Sequence, residues 1–392
     1  MVYLNHLGII CAAGHAPAAF RHSLLETAAS GIVQTAQYSP GRSLPLGCVD
    51  ASLPSVAHLP LTQRSRNNQL ALAALAQIRP QVDAAIELYG RDRIAVVIGT
   101  STSGIAESEA ALLAQIEQGD LPATFHYAQQ ELGSPAAMLA ATLGVSGPTY
   151  VHSNACASSS KALASAARLL RMDVCDAVVV GGVDSLCRFT VAGFAALESV
   201  SNVRCNPLSA NRNGINIGEG AALFLMTREP ATVALRGWGE SSDGHHMSAP
   251  DPSGKGAQLA IERALARAGV DAAQIDYINL HGTATIQNDA MESRAINAIF
   301  GDATPASSTK PFTGHTLGAA GAIEAAICWL AMQDDNPQGK LPPHLWDGSI
   351  DPAIAPLNLV EVGTQTGSLL RWTLSTSFAF GGANSALVFG RA

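Results

Sequence analysis

The hydrophobic pattern along this chain predicts short buried strands that alternate with amphipathic helices. Continuous apolar runs at 94–98 and 177–180 each stop at a glycine, which is typical of strands buried on both faces. Between the strands, apolar residues recur at helical spacing. The predicted strands are 3–10, 94–98, 148–153, 177–180, 221–226, 231–238 and 277–280, and the predicted helices are 17–28, 69–78, 107–118, 135–143, 157–170, 256–268 and 316–332. This alternation favours an α/β fold with mostly central strands.

The second part of the chain repeats this plan weakly. A long Gly- and Ala-rich helix at 316–332 follows a turn, and Phe380–Ser385 echoes Val180–Ser185. We interpret this as an ancient duplication and predict two units, 1–240 and 241–392. The echo is short, so chance similarity remains an alternative.

Composition limits the classes of partner and compartment. Hydrophobic residues make up 47% of the 392 residues and charged residues only 14%, which predicts a large core and extensive buried surface, part of it in an oligomer interface. The formal net charge of -8 gives no basic character that would favour nucleic acid. Seven cysteines without a CxxC pair favour a reducing cytoplasm over a disulfide scaffold. We expect neither a signal peptide nor a membrane span.

Cys156 is the strongest candidate for a nucleophile. It lies in Asn154–Lys161, at a predicted turn between a strand and the start of an Ala-rich helix. Free N–H groups and the positive end of the helix dipole favour a thiolate at such a position, and the thiolate is the nucleophilic form. The alternative is a small buried hydrophobic residue. That is the expectation for the other cysteines, which are Cys11, Cys48, Cys175, Cys187, Cys205 and Cys328.

Three further segments carry candidate chemistry. His281–Thr285 follows a predicted strand, and Lys310–Gly321 places a lysine and His315 just before a helix. Phe378–Asn384 sets a glycine pair beside aromatic residues, which suits a backbone that approaches a ligand and presents N–H groups. For each histidine the alternative is a capping or core role. We expect no metal, because no carboxylate or cysteine stands at ligand spacing beside the two histidines.

Taken together, these residues resemble the decarboxylating β-ketoacyl-acyl-carrier-protein synthases, both the fatty-acid elongating type and those of type II polyketide pathways. The cysteine and the HGTxT, KxxxGHxxGAAG and FGGxN elements occur in that family's order, from about Leu4 to Phe389. The resemblance implies a thiolase-like fold, in which two related α/β halves stack as α-β-α-β-α layers, and a dimer. It also implies that no cofactor is bound, because phosphopantetheine arrives on the acyl carrier protein.

The resemblance also implies a mechanism. Cys156 would accept an acyl chain from the carrier protein, and malonyl-carrier protein would then bind. His281 and His315 would assist decarboxylation and stabilise the enolate through neutral N–H donors. Backbone N–H groups of Cys156 and Phe380 would hold the tetrahedral oxyanion. These roles are physically coherent, because preorganised N–H donors stabilise a transition state most strongly at the atom where negative charge develops.

Other matches assign supporting roles. Lys310 and Glu324 match residues that organise the histidines, and Phe380 matches an aromatic gate that admits the acyl chain. The residues matched to substrate contacts are Thr283, Thr285, Ser248, Thr102, Phe378 and Gly381. The first three resemble hydroxyls that contact the pantetheine arm, although Ala249 stands where many relatives carry a further hydroxyl. Thr102 matches a position that helps to set pocket depth.

A basic patch for an acidic carrier protein is expected at Arg64, Arg66 and Arg204. Such a patch would steer an acidic partner toward a chain that is itself acidic. Ordinary solvated surface is the alternative, because exposed charges are common.

Departures from the fatty-acid enzymes point to a pathway-dedicated ketosynthase, for example one that builds a polyene or another polyketide. Leu197–Arg212 and Met226–Trp238 are shorter than in the elongating enzymes, and Glu131 is unusual near the expected dimer region. A non-decarboxylating thiolase is disfavoured, because thiolases usually use a second cysteine near the C-terminus and none follows Cys328. A non-catalytic chain-length-factor-like subunit is disfavoured by the presence of Cys156. Whether the partner is a second copy or such a subunit stays open.

Overall fold

The computed structural model describes all 392 residues. The strands are β1 Tyr3–Cys11, β2 Val33–Thr35, β3 Leu44–Leu46, β4 Ile94–Gly99, β5 Thr149–His152, β6 Ala177–Asp184, β7 Gly220–Thr227, β8 Val233–Ser242, β9 Tyr277–Leu280, β10 Pro305–Ser308, β11 Asn358–Leu359, β12 Trp372–Ala379 and β13 Ala383–Arg391. The helices are α1 Pro17–Arg21, α2 Arg66–Tyr89, α3 Ile105–Gln118, α4 Ser134–Leu143, α5 Ser158–Arg171, α6 Arg188–Ala196, α7 Lys255–Ala268, α8 Ile286–Phe300, α9 Lys310–Thr313 and α10 Ala320–Ala331. None of the helices combines the length and apolar character that a membrane crossing requires.

The strands form two sets with the same order and directions. In the first, β5, β4 and β6 are parallel neighbours, and β7 and β1 follow antiparallel. In the second, β10, β9 and β12 are parallel neighbours, and β13 and β8 follow antiparallel. The sets meet where β1 pairs with β8, at Tyr3 and Ala234. The predicted duplicated α/β architecture is therefore confirmed.

Helices and sheets stack in five layers, and the three largest hydrophobic cores lie between these layers. Along β4, Val97 packs in the central core with residues of α5 and α10, whereas Val96 and Ile98 pack with α2 and α4 on the opposite face. This two-residue alternation is expected of a strand covered on both sides. The third core lies between the second sheet and α7 and α8. Helices α5 and α10 form the middle layer, because each contacts strands of both sets.

Several predicted boundaries differ from the structure. The β6 strand continues through Gly181 and Gly182 to Asp184 instead of ending before them. By sheet position β6 corresponds to β12, whereas Phe380–Ser385 forms the turn after β12 and the start of β13. The echo noted in the sequence therefore does not join equivalent positions. The unit boundary after residue 240 stays a prediction; it falls inside β8.

Candidate active site

Cys156 lies in the turn between β5 and α5. Ala155 takes a positive φ of 45°, and the Ser158 hydroxyl secures the turn by accepting from the Asn154 N–H and donating to the Ala155 carbonyl. The start of α5 sits tightly against β6, because a Cβ at Gly182 would lie 2.5 Å from the Ser159 Cβ. This local packing places the thiol at the N-terminal end of a helix in the middle layer, where it is 6% exposed.

His315 faces the thiol. Its Nε2 lies 3.0 Å from Sγ of Cys156. A loop of the first half of the chain holds the histidine on both sides: the His315 N–H donates to the Asn216 carbonyl at 2.6 Å, and the Gly218 N–H donates to the His315 carbonyl at 2.9 Å. Burial, and next to it the Lys310 charge, lowers the pKa of His315 well below its ordinary value. The ring is therefore a neutral base at physiological pH.

His281 forms the third side of this constellation. Its ring lies 5.3 Å from that of His315, nearly perpendicular to it, and its Nδ1 lies 3.3 Å from Nζ of Lys310. Burial, followed by Lys310 and His315, lowers the pKa of His281 well below its usual range. Because the lysine ammonium can only donate, the neutral ring carries its proton on Nε2 and presents an N–H donor.

Lys310 and Glu324 form a buried ion pair behind His281. Both side chains are almost fully enclosed, and Lys310 also donates to the His281 carbonyl. Burial raises the pKa of Glu324 to about 7, against the opposing effect of Lys310. Glu324 thus balances the charge of the lysine that orients His281. Its Oε1 pairs with Lys310, and its Oε2 has no hydrogen-bond partner.

The acidity of Cys156 differs from the sequence prediction. Burial raises the pKa of Cys156 to about 11, although the Lys310 charge and the backbone N–H groups of Phe380 and of Cys156 itself act to lower it. Desolvation outweighs the helix start, because a fully buried thiolate loses its hydration. The resting nucleophile is a thiol beside a neutral base, and the expectation of a ready-made thiolate was wrong.

A cavity of about 210 Å³ opens onto the thiol. Besides the cysteine and the two histidines, the predicted residues that line it are Ser248, Thr283, Thr285, Phe378 and Phe380. The hydroxyls of Thr283 and Thr285 lie 2.9 Å apart, and the ring of Phe380 packs on that of Phe194 at 5.6 Å. The structure therefore brings most of the predicted substrate contacts into one cavity with the nucleophile.

Two predicted substrate contacts lie elsewhere. Thr102 does not line the cavity; it is 4% exposed, and its hydroxyl donates to Asp184 at 2.8 Å. Gly381 does not present its N–H to the cavity, because that N–H donates to the Met247 carbonyl at 2.8 Å. Both groups are already committed inside the protein.

The predicted carrier patch is also altered. Arg66 forms a two-pronged ion pair with Glu219, at 2.9 and 2.6 Å, and the Glu219 side chain is fully buried. Arg66 therefore neutralises an interior carboxylate. Arg64 donates to the Leu59 carbonyl and remains half-buried, whereas Arg204 is exposed. Only Arg64 and Arg204 remain available for an external partner.

The sequence did not suggest three buried carboxylates that hold the site. On α8, Glu292 accepts from the backbone N–H groups of His281 and Gly282, both at 2.7 Å. Asp289, one turn earlier, accepts from the Ala284 N–H. Asp184 accepts from the Gly318 N–H at 2.6 Å and so ties β6 to the turn that follows His315. The carboxylates at positions i and i+3 of α8, next to the HGTAT segment, were the available indication.

The ligand atoms of Cys156, His281 and His315 all lie within 4.8 Å of one another. A soft metal prefers such a donor set, but the Lys310 ammonium beside His281 opposes a cation. The expectation of no metal stays a prediction.

Comparisons with known proteins agree with this geometry. Residues 31–231 match the family model "Beta-ketoacyl synthase, N-terminal domain", and residues 232–345 match "Beta-ketoacyl synthase, C-terminal domain". The mitochondrial 3-oxoacyl-[acyl-carrier-protein] synthase of Arabidopsis thaliana is 36% identical over 267 residues, which is 63% of this chain and 57% of that protein's length.

Two solved structures share the whole fold. A ketosynthase of Xenorhabdus doucetiae in complex with its chain length factor matches with a TM-score of 0.94 and 45% identity, over 100% of this chain and 98% of that one. The ishigamide ketosynthase/chain length factor matches with a TM-score of 0.88 and 25% identity, over 100% of this chain and 99% of that one.

Proposed function

Because this chain belongs to the β-ketoacyl synthase family, we propose that it condenses an acyl group held on Cys156 with malonyl-acyl carrier protein and releases carbon dioxide. The observation that carries this proposal is the 3.0 Å approach of His315 Nε2 to the thiol, with the N–H donor of His281 on the same cavity. A nucleophile, a base and a second donor are the parts that acyl transfer and decarboxylation need. A non-catalytic subunit has no need of this complete set.

The first step loads the acyl chain. Cys156 attacks the carrier thioester, and His315 takes the thiol proton as the sulfur–carbon bond forms. The backbone N–H groups of Cys156 and Phe380 favour negative charge beside Sγ, so they suit the oxyanion of the tetrahedral intermediate. The bond to the pantetheine sulfur then breaks, and His315 returns the proton to that leaving thiolate. His315 is neutral again when loading ends.

The second step uses both histidines as donors. After loading, the neutral His315 ring moves its proton from Nδ1, which has no hydrogen-bond partner, to Nε2 and so becomes a donor. The malonyl thioester oxygen then accepts N–H donation from His281 and His315 while the carboxylate leaves as carbon dioxide, which places the developing enolate charge on preorganised donors. The resulting carbanion attacks the carbonyl carbon of the acyl-Cys156 thioester, the carbon–sulfur bond breaks, and the departing Cys156 thiolate takes up a proton from solvent. Lys310 supports this step indirectly, because it keeps the His281 proton on the nitrogen that faces the cavity.

The carrier's phosphopantetheine arm enters the same cavity in this proposal. Thr283 and Thr285 offer two adjacent hydroxyls, and Ser248 offers a third on the opposite loop. Ala249 can offer none, so the arm is held by fewer hydroxyl contacts than in many relatives. The protein itself then needs no bound cofactor.

We further propose that the enzyme serves a dedicated polyketide or polyene pathway together with a partner chain. The 45% identity to a ketosynthase that was solved with a chain length factor supports this. Helix α3 also lacks cover: it buries only Ser108 and Ala111, whereas Leu113 and Ile116 are 41% and 81% exposed. Such an apolar face suits a protein interface. A cytoplasmic location stays a prediction from the cysteine content.

Intact-mass analysis tests the condensing activity directly. The purified protein is incubated with acyl-carrier protein and then with malonyl-carrier protein. We expect an acyl adduct that is discharged as β-ketoacyl-carrier product. Cys156→Ala should lose the adduct but keep malonyl decarboxylation, whereas His281→Ala or His315→Ala should impair decarboxylation. Cys48→Ala is the matched control, since Cys48 does not line the cavity. Histidine variants that condense at the wild-type rate would refute these roles.

A further inference from the structure

Asn288 is a buried side chain at the start of α8 that lines the catalytic cavity. It is only 7% exposed, and no step of the proposed reaction uses it. Buried amides are normally hydrogen-bonded at both ends, so each end of this amide requires a partner. The nitrogen end finds its partners within the protein, whereas the oxygen end finds none.

Two carboxylates hold the nitrogen end of the amide. Nδ2 of Asn288 donates to Asp289 Oδ1 at 3.1 Å and to Glu292 Oε2 at 3.2 Å. Burial raises the pKa of Asp289, and hydrogen bonds from the Leu208 N–H and from Asn288 oppose that rise. A carboxylate accepts and an amide oxygen cannot donate, so a flipped amide would set oxygen against oxygen. The orientation of Asn288 is therefore fixed by residues of its own helix.

The oxygen end of Asn288 is a free acceptor. Both hydrogen bonds of the side chain run through Nδ2, and no protein group donates to Oδ1. Oδ1 is not enclosed by other atoms either, and it lies on the side of the amide away from the carboxylates. Because the side chain lines the cavity, this oxygen faces the cavity. An acceptor whose direction is already fixed binds a ligand donor at little cost in side-chain entropy.

The hydroxyls beside Asn288 supply the complementary group. Thr285 Oγ1 accepts from the Asn288 backbone N–H at 3.4 Å and lies 2.9 Å from Thr283 Oγ1. One of the two hydroxyl protons is used between the threonines, which leaves the other for a ligand. This wall of the cavity therefore offers an O–H donor and a carbonyl acceptor side by side. A ligand with secondary amides needs both, because each amide has a carbonyl that accepts and an N–H that donates.

The pantetheine arm is the part of the substrate that carries such amides. It has two of them between its phosphate and its sulfur, whereas the thioester and a hydrocarbon acyl chain have no N–H. An amide N–H that enters the cavity gives up its hydrogen bond to water and needs a new acceptor. Asp243, the carboxylate that lines the cavity, is committed, because its oxygens accept from Asn384 and from the Asp251 N–H.

We propose that Asn288 determines specificity for the carrier's arm: its Oδ1 accepts the hydrogen bond of one pantetheine amide N–H while the thioester lies at Cys156. Glu292 links this contact to the chemistry, because the carboxylate that aims the amide also accepts from the backbone N–H groups of His281 and Gly282. One helix thus positions both the arm and the histidine. The assignment rests on the proposed function, because it takes a pantetheine thioester as the substrate.

The test changes one group on the substrate and one on the enzyme. Straight-chain acyl-pantetheine thioesters are screened by intact mass for acyl loading of Cys156, and the fastest serves as the parent. Two ester analogues of the parent replace one or the other amide N–H by oxygen. We expect one analogue to lower kcat/KM for loading about fivefold in the wild type, as for loss of one neutral hydrogen bond. In Asn288→Ala the same replacement should have almost no effect.

The difference between wild type and variant is the measure, because an ester carbonyl is also a weaker acceptor and affects both enzymes. A wild type that distinguishes neither analogue would overturn the proposal, and so would an Asn288→Ala variant that discriminates as the wild type does. Both results leave the proposed function intact, because the parent still loads. Failure of every thioester to load would refute the proposed function and this assignment with it.

Two further variants separate binding from folding. Asn297→Ala removes the same side chain from the same helix, where its amide donates to the Pro356 carbonyl outside the cavity, and it should keep the wild-type discrimination. Asn288→Ser keeps a hydroxyl donor for the carboxylates but has no carbonyl oxygen, and it should lose the discrimination even where the loss of donors unfolds Asn288→Ala. Discrimination that falls with the melting temperature in all three variants would show a structural role alone and would contradict the proposal.

Discussion

Cys156 should react appreciably with iodoacetamide only when the pH is raised well above neutrality. Burial moves the pKa of this thiol from 9.0 to about 11. At pH 7 the thiolate fraction is then about 10⁻⁴, roughly a hundredfold below that of a thiol with the ordinary value, and the difference corresponds to about 2.7 kcal/mol. The alkylation rate should therefore rise about tenfold per pH unit through pH 9 and level off near pH 11. The assay is peptide-level mass spectrometry of the fragment that contains Cys156, after timed quenching.

The control for this experiment is His315→Ala. Because His315 is neutral in the resting enzyme, its removal should leave the midpoint of the alkylation profile nearly unchanged, while acyl transfer from carrier protein falls sharply for want of a base. A wild-type profile that is already flat at neutral pH, and that collapses in His315→Ala, would show a thiolate–imidazolium pair. That result would refute the description of a neutral thiol beside a neutral base.

Three further predictions concern the buried ion pair behind His281, the ion pair of Arg66 with Glu219, and the cavity hydroxyl of Ser248. Lys310→Met should lower the rate of malonyl decarboxylation about 10²–10³-fold, measured as carbon dioxide release. It should also reduce the free energy of unfolding, measured by urea denaturation, by about 3 kcal/mol, because Glu324 is left as an unpaired buried carboxylate. The double variant Lys310→Met/Glu324→Gln should recover stability without recovering activity. Arg66→Met should likewise reduce the free energy of unfolding in urea by about 3 kcal/mol, whereas Arg204→Met, at an exposed position, should change it by no more than about 0.5 kcal/mol. Equal effects of the two substitutions would show that Arg66 is a surface residue, as the sequence predicted, and not half of an interior ion pair. Ser248→Ala should raise KM for malonyl-carrier protein about fivefold with kcat unchanged, as expected for loss of one hydrogen bond, and an unchanged KM would remove Ser248 from the pantetheine contacts.

The strands with two apolar faces were predictable from the sequence, but others were hidden by their composition. The β12 strand reads Trp372–Ala379, and half of its residues are serine or threonine, although seven of the eight are buried. The two threonine hydroxyls find partners inside the protein, Thr373 with the Met332 sulfur and Thr376 with Glu292. In the same way, the polar residues Asn288, Asp289 and Glu292 of α8 are buried, so the hydrophobic period that marks a helix is interrupted.

The site was predictable as a set of residue types but not as a set of environments. The motifs pointed to Cys156, His281 and His315, yet the acidity of the thiol depends on desolvation by chain segments remote in sequence. Arg66 shows the same limit, since its partner Glu219 lies 153 residues away and nothing local marks it as an interior ion pair. Thr102 is similar, because its hydroxyl is committed to Asp184. Which polar groups are already partnered is a property of the tertiary structure.

The placement of nucleophile and base on different halves has a consequence for synthesis of the protein. During translation, a ribosome-bound chain that has folded only its first half carries Cys156, but the segment with His281 and His315 has yet to emerge. The backbone N–H of Phe380 is made later still, 65 residues after His315 (380 − 315). An incomplete chain therefore lacks the base, the donors and half of the oxyanion site, and it cannot capture acyl groups from carrier protein. Synthesis and folding of the second half therefore act as the activation step.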